Sequence, residues 1–253
     1  MTSSVDIVLP VLNEEQDLPR SVATLHRFLQ KHCQDDWRIV IADNGSTDNT
    51  LAIAQQLGQQ YPQVGCLHLD QRGRGRALKR AWLESKADIV AYMDIDLSTD
   101  LQALPPLITA IRDEGYDLAI GSRLAKGARV ERRTLKREVL SRGYNLLIRA
   151  MFFTRFSDAQ CGFKALSRRA AQVLLPLVQD NGWFLDSELL ILAEKRGFHI
   201  KDVPVHWTDD PDTRVRVLRT ALGDIRGLLR LRFGGIPQVP PEPPAHGTKA
   251  NPL

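Results

Sequence analysis

The tripeptide Asp94-Ile-Asp96 ends an apolar run, Ile89 to Met93, that has the composition of a buried strand. Two carboxylates at i and i+2 on a strand point to the same side. At the carboxyl edge of a parallel sheet, where open α/β folds take their ligands, such a pair suits a hard divalent cation and the phosphates it carries. Strand ends are also often acidic and merely solvated, so the pair has to be weighed with its surroundings. Asn13 and Glu14 follow a first apolar run, Val5 to Pro10, and Asp43 closes a second, Arg38 to Ala42. In Asp43-Asn-Gly-Ser-Thr-Asp48 the first acid is placed to accept hydrogen bonds from a base or ribose, while Ser46 or Thr47 caps a helix; simple turn chemistry is the alternative. Arg72-Gly-Arg-Gly-Arg-Ala-Leu78 fails as a dinucleotide fingerprint, because its third glycine would fall at Leu78. A basic glycine turn at a helix start still offers Arg74 and backbone amides to a diphosphate, with a solvated turn as the competing reading.

The elements that must position these residues alternate. Strands are expected near 5–10, 38–43, 65–69, 88–94 and 117–122, with helices from Leu18 to Leu29, Leu51 to Leu57, Arg76 to Ser85 and Leu101 to Arg112. Right-handed β-α-β units then give a mostly parallel α/β sheet covered by helices, with the acids gathered on one edge. After Arg123 the chain becomes basic. A loop from Leu124 to Thr134 precedes a helix to Phe153, a return strand Gln160 to Leu166, helices over 168–178 and 184–196, and a last strand His199 to Trp207 whose Pro204 suggests a sheet edge. Residues 215–233 repeat apolar positions at helical spacing between arginines. One domain is expected over 1–235, including amphipathic segments near 124–153 and 215–233. The tail 236–253 holds six of the fourteen prolines and is expected to be disordered.

The 253 residues carry a net charge of only +4, yet eight basic residues fall between Arg123 and Arg142 and six arginines between Arg214 and Arg232. Clusters of this kind point to an anionic partner. A nucleic acid fits poorly, since aromatics are not interleaved and the acids would be left without a role. Cys33, Cys66 and Cys161 are widely spaced and odd in number, which suggests neither a disulfide framework nor a zinc site. The N-terminus lacks a basic signal region, and no apolar run approaches the roughly 18 residues of a membrane span. The expected location is therefore cytoplasmic, with peripheral contact on the cytosolic face of a membrane through the two amphipathic segments. Packing against a membrane-protein partner or a second copy is the alternative use of those faces.

Taken in order, Pro10-Val-Leu-Asn-Glu14, Asp43 to Asp48, Gly73-Arg-Gly-Arg-Ala77, Asp94-Ile-Asp96 and Gly121-Ser-Arg123 resemble the family 2 inverting glycosyltransferases of GT-A (Rossmann-like) fold. Phe156 to Leu166, Trp183-Phe-Leu-Asp-Ser-Glu-Leu-Leu190 and Val203-Pro-Val-His-Trp-Thr208 resemble the polyprenyl-phosphate hexosyltransferases, the dolichyl-phosphate β-glucosyltransferases more than the mannosyl enzymes. The resemblance implies metal-dependent transfer of a hexose from a nucleotide sugar to polyprenyl or dolichyl phosphate with a β-linked product. UDP-glucose is favoured and GDP-mannose is the alternative, with Mg2+ or Mn2+ as cofactor; a soluble acceptor is a further alternative. By matching positions, Pro10, Val11, Asn13, Glu14, Asp43, Arg74 and Asp94 serve the nucleotide sugar, and Asp94 and Asp96 the metal. Arg123, Arg137, Ser141 and Arg214 serve the acceptor phosphate, with Asp96, Arg123 and Arg137 as the catalytic set. Asp186 and Glu188 are assigned to a sugar hydroxyl or the acceptor loop, a helix-start acid pair being the plain alternative. Arg132, Arg133 and Lys136 are expected to be mostly solvated. Ser98 stands where the mannosyl pattern often has glutamine, which leaves a third metal contact without a residue.

Overall fold

A computed structural model describes residues 3–209 and 217–237. The chain alternates through β1 (Ser4–Val11), α1 (Leu18–His32), β2 (Asp36–Asp43), α2 (Thr50–Gln60), β3 (Val64–His68), α3 (Arg74–Glu84) and β4 (Ile89–Met93). It continues through α4 (Leu104–Arg112), β5 (Leu118–Ser122), β6 (Arg129–Glu131), α5 (Leu135–Phe152), β7 (Phe163–Ser167) and α6 (Arg168–Leu174). The last elements are α7 (Leu185–Lys195), β8 (Ile200–Pro204), β9 (His206–Thr208) and α8 (Val217–Gly234). Pro105 and Pro106 sit at the start of α4, where a missing amide hydrogen costs least.

Seven strands form one sheet in the order β3-β2-β1-β4-β7-β5-β8. All neighbours are parallel except at β7, which runs antiparallel to both β4 and β5. Alternation along each strand divides the core. Val8, Val90 and Tyr92 face α3, α6 and α7 on one side, whereas Ile7, Leu9, Ala91 and Met93 face α1 and α4 on the other. The expected parallel sheet is present with this one reversed strand.

Three local expectations change. The basic loop 124–134 contains β6, which pairs in parallel with β9. The expected last strand divides at Val205: β8 forms the sheet edge beside β5 and ends at Pro204, which has no amide hydrogen to continue a ladder, and β9 leaves to join β6. Ile236, inside the stretch expected to be disordered, packs against the core, and its carbonyl accepts a 2.8 Å hydrogen bond from Arg196; residues 238–253 lie outside the described residues.

Helix α8 is seated by close contact. A Cβ on Gly227 would lie 2.2 Å from the Phe184 ring, Leu228 and Leu231 enter the core, and Arg230 pairs with the buried Glu188 at 2.9 Å. One turn earlier Asp224 is buried, and its carboxyl is pushed up to about 7, first by burial and then by Asp180 and Asp186. In an unfolded chain an aspartate titrates near 3.9, so the native protein binds the extra proton between about pH 4 and 7 and loses stability as pH rises through that window. Asp224→Asn is therefore expected to raise the urea midpoint at pH 8 and to change it much less at pH 4.5. Equal shifts at both values would contradict this origin.

Candidate functional site

The site lies where the parallel strands end. Strand β4 stops at Met93, so Asp94 and Asp96 lie in the turn beyond it rather than on the strand, as the spacing had suggested. Their orientation comes from the turn itself. The Asp94 amide donates to the Gly162 carbonyl, and a Cβ built on Gly162 would fall 1.6 Å from Asp94 Oδ2. Any side chain at 162 would therefore move the carboxylate. Asp96 is exposed, and its Oδ1 accepts the Ser98 amide at 2.9 Å. Ser98 is buried, and its carbonyl receives the Thr208 amide, which fastens β9 beside the acidic turn.

Arg74, the first residue of α3, bridges two acids. Its Nη2 donates to Asp94 and its Nη1 to Asp186, both at 2.8 Å. The guanidinium lies 5.0 Å from the Tyr92 ring centroid and 4.8 Å from that of half-exposed Trp183. Asp186 also pairs with the fully buried Lys164 at 2.9 Å and accepts the Tyr92 hydroxyl. Burial alone would raise the Asp186 carboxyl, but Lys164 and Arg74 outweigh it and hold it below the usual carboxylate range. Burial and the Asp186 charge raise Tyr92, which keeps its proton and donates it. The glycines at the start of α3 have a packing reason: Cβ atoms on Gly73 and Gly75 would lie 2.6 Å from the Asn181 carbonyl and 2.8 Å from that of Gly182.

On the first two strands, Pro10 is half-buried, Val11 is buried and Asn13 has a left-handed backbone with φ 56°. Asn13 Oδ1 accepts the Thr47 amide at 2.8 Å, the Asn13 amide donates to Ser46, and the Glu14 amide donates to Thr50. These bonds lock the β1 and β2 loops together. Asp43 is fully buried, with Oδ2 2.6 Å from His68 Nδ1 and Oδ1 accepting the Ser46 amide. Its carboxylate braces His68, whose ring is partly exposed.

The basic side begins at Arg123. Its Nε and Nη2 donate to the two oxygens of Asp158 at 2.8 and 2.9 Å, and its guanidinium lies 4.9 Å from the Trp207 ring centroid. Burial works against ionisation of both partners. Their mutual attraction overcomes it, raising Arg123 and lowering Asp158. Arg137 donates to Asp209, the residue after β9, and Ser141 follows one turn later on α5. The Ser141 hydroxyl is buried and has no hydrogen-bond partner among the described residues. Arg132 and Lys136 are exposed as expected, whereas Arg133 is only 9% exposed and is lowered by burial and then by Arg123. Arg214 lies outside the described residues.

Several placements differ from what residue type suggested. Glu188 is turned away from the acidic edge: it accepts the amides of Gln179 and Asp180 and pairs with Arg230, so it orders the turn before α7. From the sequence, Lys164 and His68 are given no role, and Arg133 is expected only as part of a solvated face. A lysine amid Phe163-Lys-Ala-Leu in a strand is a usable signal, since a buried ammonium needs a partner. His68 becomes visible only through its register with Asp43.

The metal question can be tested on the donors. Asp94 and Asp96 are hard oxygen ligands two residues apart in the turn, and Gly162 leaves room for the first carboxylate. Among the described residues no three His, Cys, Asp or Glu side chains gather as a metal site. Two carboxylates fit Mg2+ or Mn2+ of the kind that takes its remaining ligands from substrate phosphates and water.

Among solved structures, glucosyl-3-phosphoglycerate synthase of Mycobacterium tuberculosis in complex with Mn2+, UDP-glucose and phosphoglyceric acid superposes with a TM-score of 0.70 at 20% identity, over 93% of this chain and 81% of that one. This likeness shows the fold. The chain is 39% identical over 231 residues to glycosyltransferase AglD of Haloferax volcanii, covering 89% of this chain and 36% of AglD. It is 30% identical over 222 residues to dolichyl-phosphate beta-glucosyltransferase ALG5C of Trichomonas vaginalis, covering 83% and 65%, and 27% identical over 247 residues to the dolichyl-phosphate beta-glucosyltransferase of Saccharomyces cerevisiae, covering 90% and 74%. The chain thus spans about a third of AglD and about two thirds of ALG5C. Residues 6–175 match the glycosyl transferase family 2 profile, and with the acid edge, the reversed β7 and the GT-A sheet described above, the chain belongs to glycosyl transferase family 2.

Proposed function

We propose that the chain transfers a hexose, glucose in the favoured reading, from a nucleotide diphosphate sugar to a polyprenyl phosphate, with inversion to a β-linked product. The observation that carries this reading is the separation of charge along one edge: acids at Asp94 and Asp96, and a basic group at Arg123, Arg133 and Arg137, with a Ser141 hydroxyl unpartnered among the described residues one turn after Arg137. The names of the relatives and the UDP-glucose bound by the structural neighbour support the choice of donor and acceptor.

In this reading an acceptor phosphate oxygen forms a bond to the anomeric carbon as the bond from that carbon to the diphosphate breaks, and the electron pair leaves on the nucleoside diphosphate. A phosphate monoester with a second pKa of about 6 is already ionised near neutral pH, so no side chain has to remove a proton. Asp186 is suited instead to positioning, because Arg74 and Lys164 hold it as a paired carboxylate. A divalent cation held by Asp94 and Asp96 would supply Lewis-acid stabilisation of the leaving diphosphate. Arginines answer the other difficulty: unit charges about 5 Å apart repel by about 3 kcal/mol at an effective dielectric of about 20, and planar guanidinium forks bind phosphate oxygens bidentately. Arg123, fixed by Asp158 and Trp207, presents such a fork without a large loss of side-chain freedom.

A lipid acceptor requires contact with a membrane surface. Among the described residues no helix is long and apolar enough to cross a membrane. Helix α5 exposes Leu135, Val139, Leu146 and, just beyond its end, Phe153, while α8 exposes Leu222, Ile225, Leu229 and Phe233; each is at least 45% exposed. Arginines flank both faces. We assign these faces to the interfacial region of the cytosolic leaflet, where basic residues near anionic headgroups gain about 1 kcal/mol each.

Three tests follow from this reading. With labelled UDP-glucose, polyprenyl phosphate and Mg2+ or Mn2+, the chain should give lipid-extractable label, more than with GDP-mannose; a chelator should abolish it, and Asp96→Asn should lower turnover about a hundredfold or more. Absence of lipid-linked label with every donor, or full activity in Asp96→Asn, would defeat the proposal. Gly162→Ala should raise the donor KM and lower kcat by about tenfold or more, because the new methyl displaces Asp94; wild-type kinetics in a folded variant would argue against the assigned role of that carboxylate. Wild-type protein should float with vesicles containing anionic lipid, and the double variant Val139→Glu, Leu146→Glu should float several-fold less while retaining the same circular dichroism.

A further inference from the structure

Asp224 is an expensive residue to bury for docking alone. It is 3% exposed, the charged groups that face it are the acids Asp180 and Asp186, and Tyr144 of α5 lies near enough for its hydroxyl to be raised, after burial, by the Asp224 charge. An apolar residue there would seat α8 beside Leu228 and Leu231 without a desolvation cost. What the carboxyl does have among the described residues is a specific contact: Oδ2 accepts Gln160 Nε2 at 2.8 Å.

Gln160 belongs to the turn that enters β7. Its amide donates to Asp158 Oδ1 at 3.2 Å, and Asp158 grips Arg123 through both carboxylate oxygens. In the same turn the Cys161 carbonyl accepts Lys164 and Gly162 lies against Asp94. Gln160 itself is exposed, so packing does not fix it. The hydrogen bond it donates to Asp224 on α8 does.

We propose that Asp224 is a positioning residue for the acceptor: through Gln160 it holds the turn from Asp158 to Gly162, and so couples the seating of α8 to the grip of Arg123 on the acceptor phosphate. The identity of the acceptor rests on the function proposed above, but the coupling of α8 to the turn does not. Because α8 presents Leu222, Ile225, Leu229 and Phe233 on its outer face, any surface that seats this helix would also order the acceptor arginine.

The test compares Asp224→Ala, Asp224→Asn and Gln160→Ala in the full chain by steady-state kinetics with a polyprenyl monophosphate in detergent, and by amide hydrogen exchange. Asp224→Ala and Gln160→Ala should each raise the acceptor KM about tenfold, the order expected for one lost hydrogen bond, with the donor KM changed less than twofold. Asp224→Asn, which still accepts from Gln160, should restore the acceptor KM to within about twofold. Exchange in 157–162 should quicken several-fold in both alanine variants. If α8 amides also quicken in Asp224→Ala, Gln160→Ala decides, because it leaves the buried face of α8 intact. An unchanged acceptor KM and unchanged exchange at 157–162 in Gln160→Ala would overturn the proposal, as would equal rises in both KM values. If the wild-type protein used no polyprenyl phosphate, the function proposed above would fail, and the exchange comparison alone would decide the coupling.

Discussion

A carboxylate buried at a reacting edge has to be neutralised by the protein before any substrate arrives, and this constraint organises the structure. Asp186 meets it with Arg74, Lys164 and the Tyr92 hydroxyl, and Asp158 meets it with the Nε/Nη2 edge of Arg123. At an effective dielectric of about 20, each pair attracts by roughly 4 kcal/mol or more. Desolvation offsets much of that attraction, so the pairs are poor sources of net stability. Their worth lies in what removal of one partner would do: an uncompensated buried charge costs about 3 to 5 kcal/mol, which keeps each guanidinium where it is. Arg74 and Arg123 are thereby fixed at the edge as cations whose geometry is set in advance.

Both networks meet in the turn before β7, and the reversed direction of that strand explains why. Parallel strands deliver their carboxyl ends to the reacting edge. An antiparallel strand inserted between β4 and β5 delivers its amino end there instead. Pairing of Met93 with Phe163 brings Gly162 against Asp94, and the preceding residues supply Asp158 to Arg123 and a carbonyl to Lys164. A single strand of opposite sense thus adds a compact turn to an edge otherwise built from β-α loops. Acidic and basic sides are held by residues four apart in sequence, so a shift at one is felt at the other.

The alternation of strands and helices was legible because each strand is apolar and each helix periodic, and the gathering of Asn13, Asp43 and Asp94 followed from parallel topology alone. Pairings across distant segments were not legible. Arg74 could be placed at a helix start, but the acids it joins come from 20 and 112 residues away. The resemblance assigns Asp43 to the nucleotide by its matching position; only the register of β2 with β3 reveals that His68 also bonds its carboxylate. Arg133 and Lys136 look alike in a basic run, and burial distinguishes one from the other. Glu188 shares a helix turn with Asp186, yet the two point apart, toward Arg230 and Arg74 respectively.

The state of Asp186 bears on which acceptors the edge can use. Its two cations hold the carboxyl below its ordinary range, and a carboxylate stabilised in that way is a weak proton acceptor. An alcohol would need a stronger base at the moment its oxygen attacks. A phosphate arrives already ionised and needs cations that are fixed in place. Arg123 is fixed on Asp158 and Trp207, and Arg137 on Asp209, with both contacts anchored around β9. The same protein charges that make Asp186 a poor base therefore belong to an arrangement suited to an anionic nucleophile, and specificity for such an acceptor can arise from how the site is neutralised rather than from any one residue that reacts.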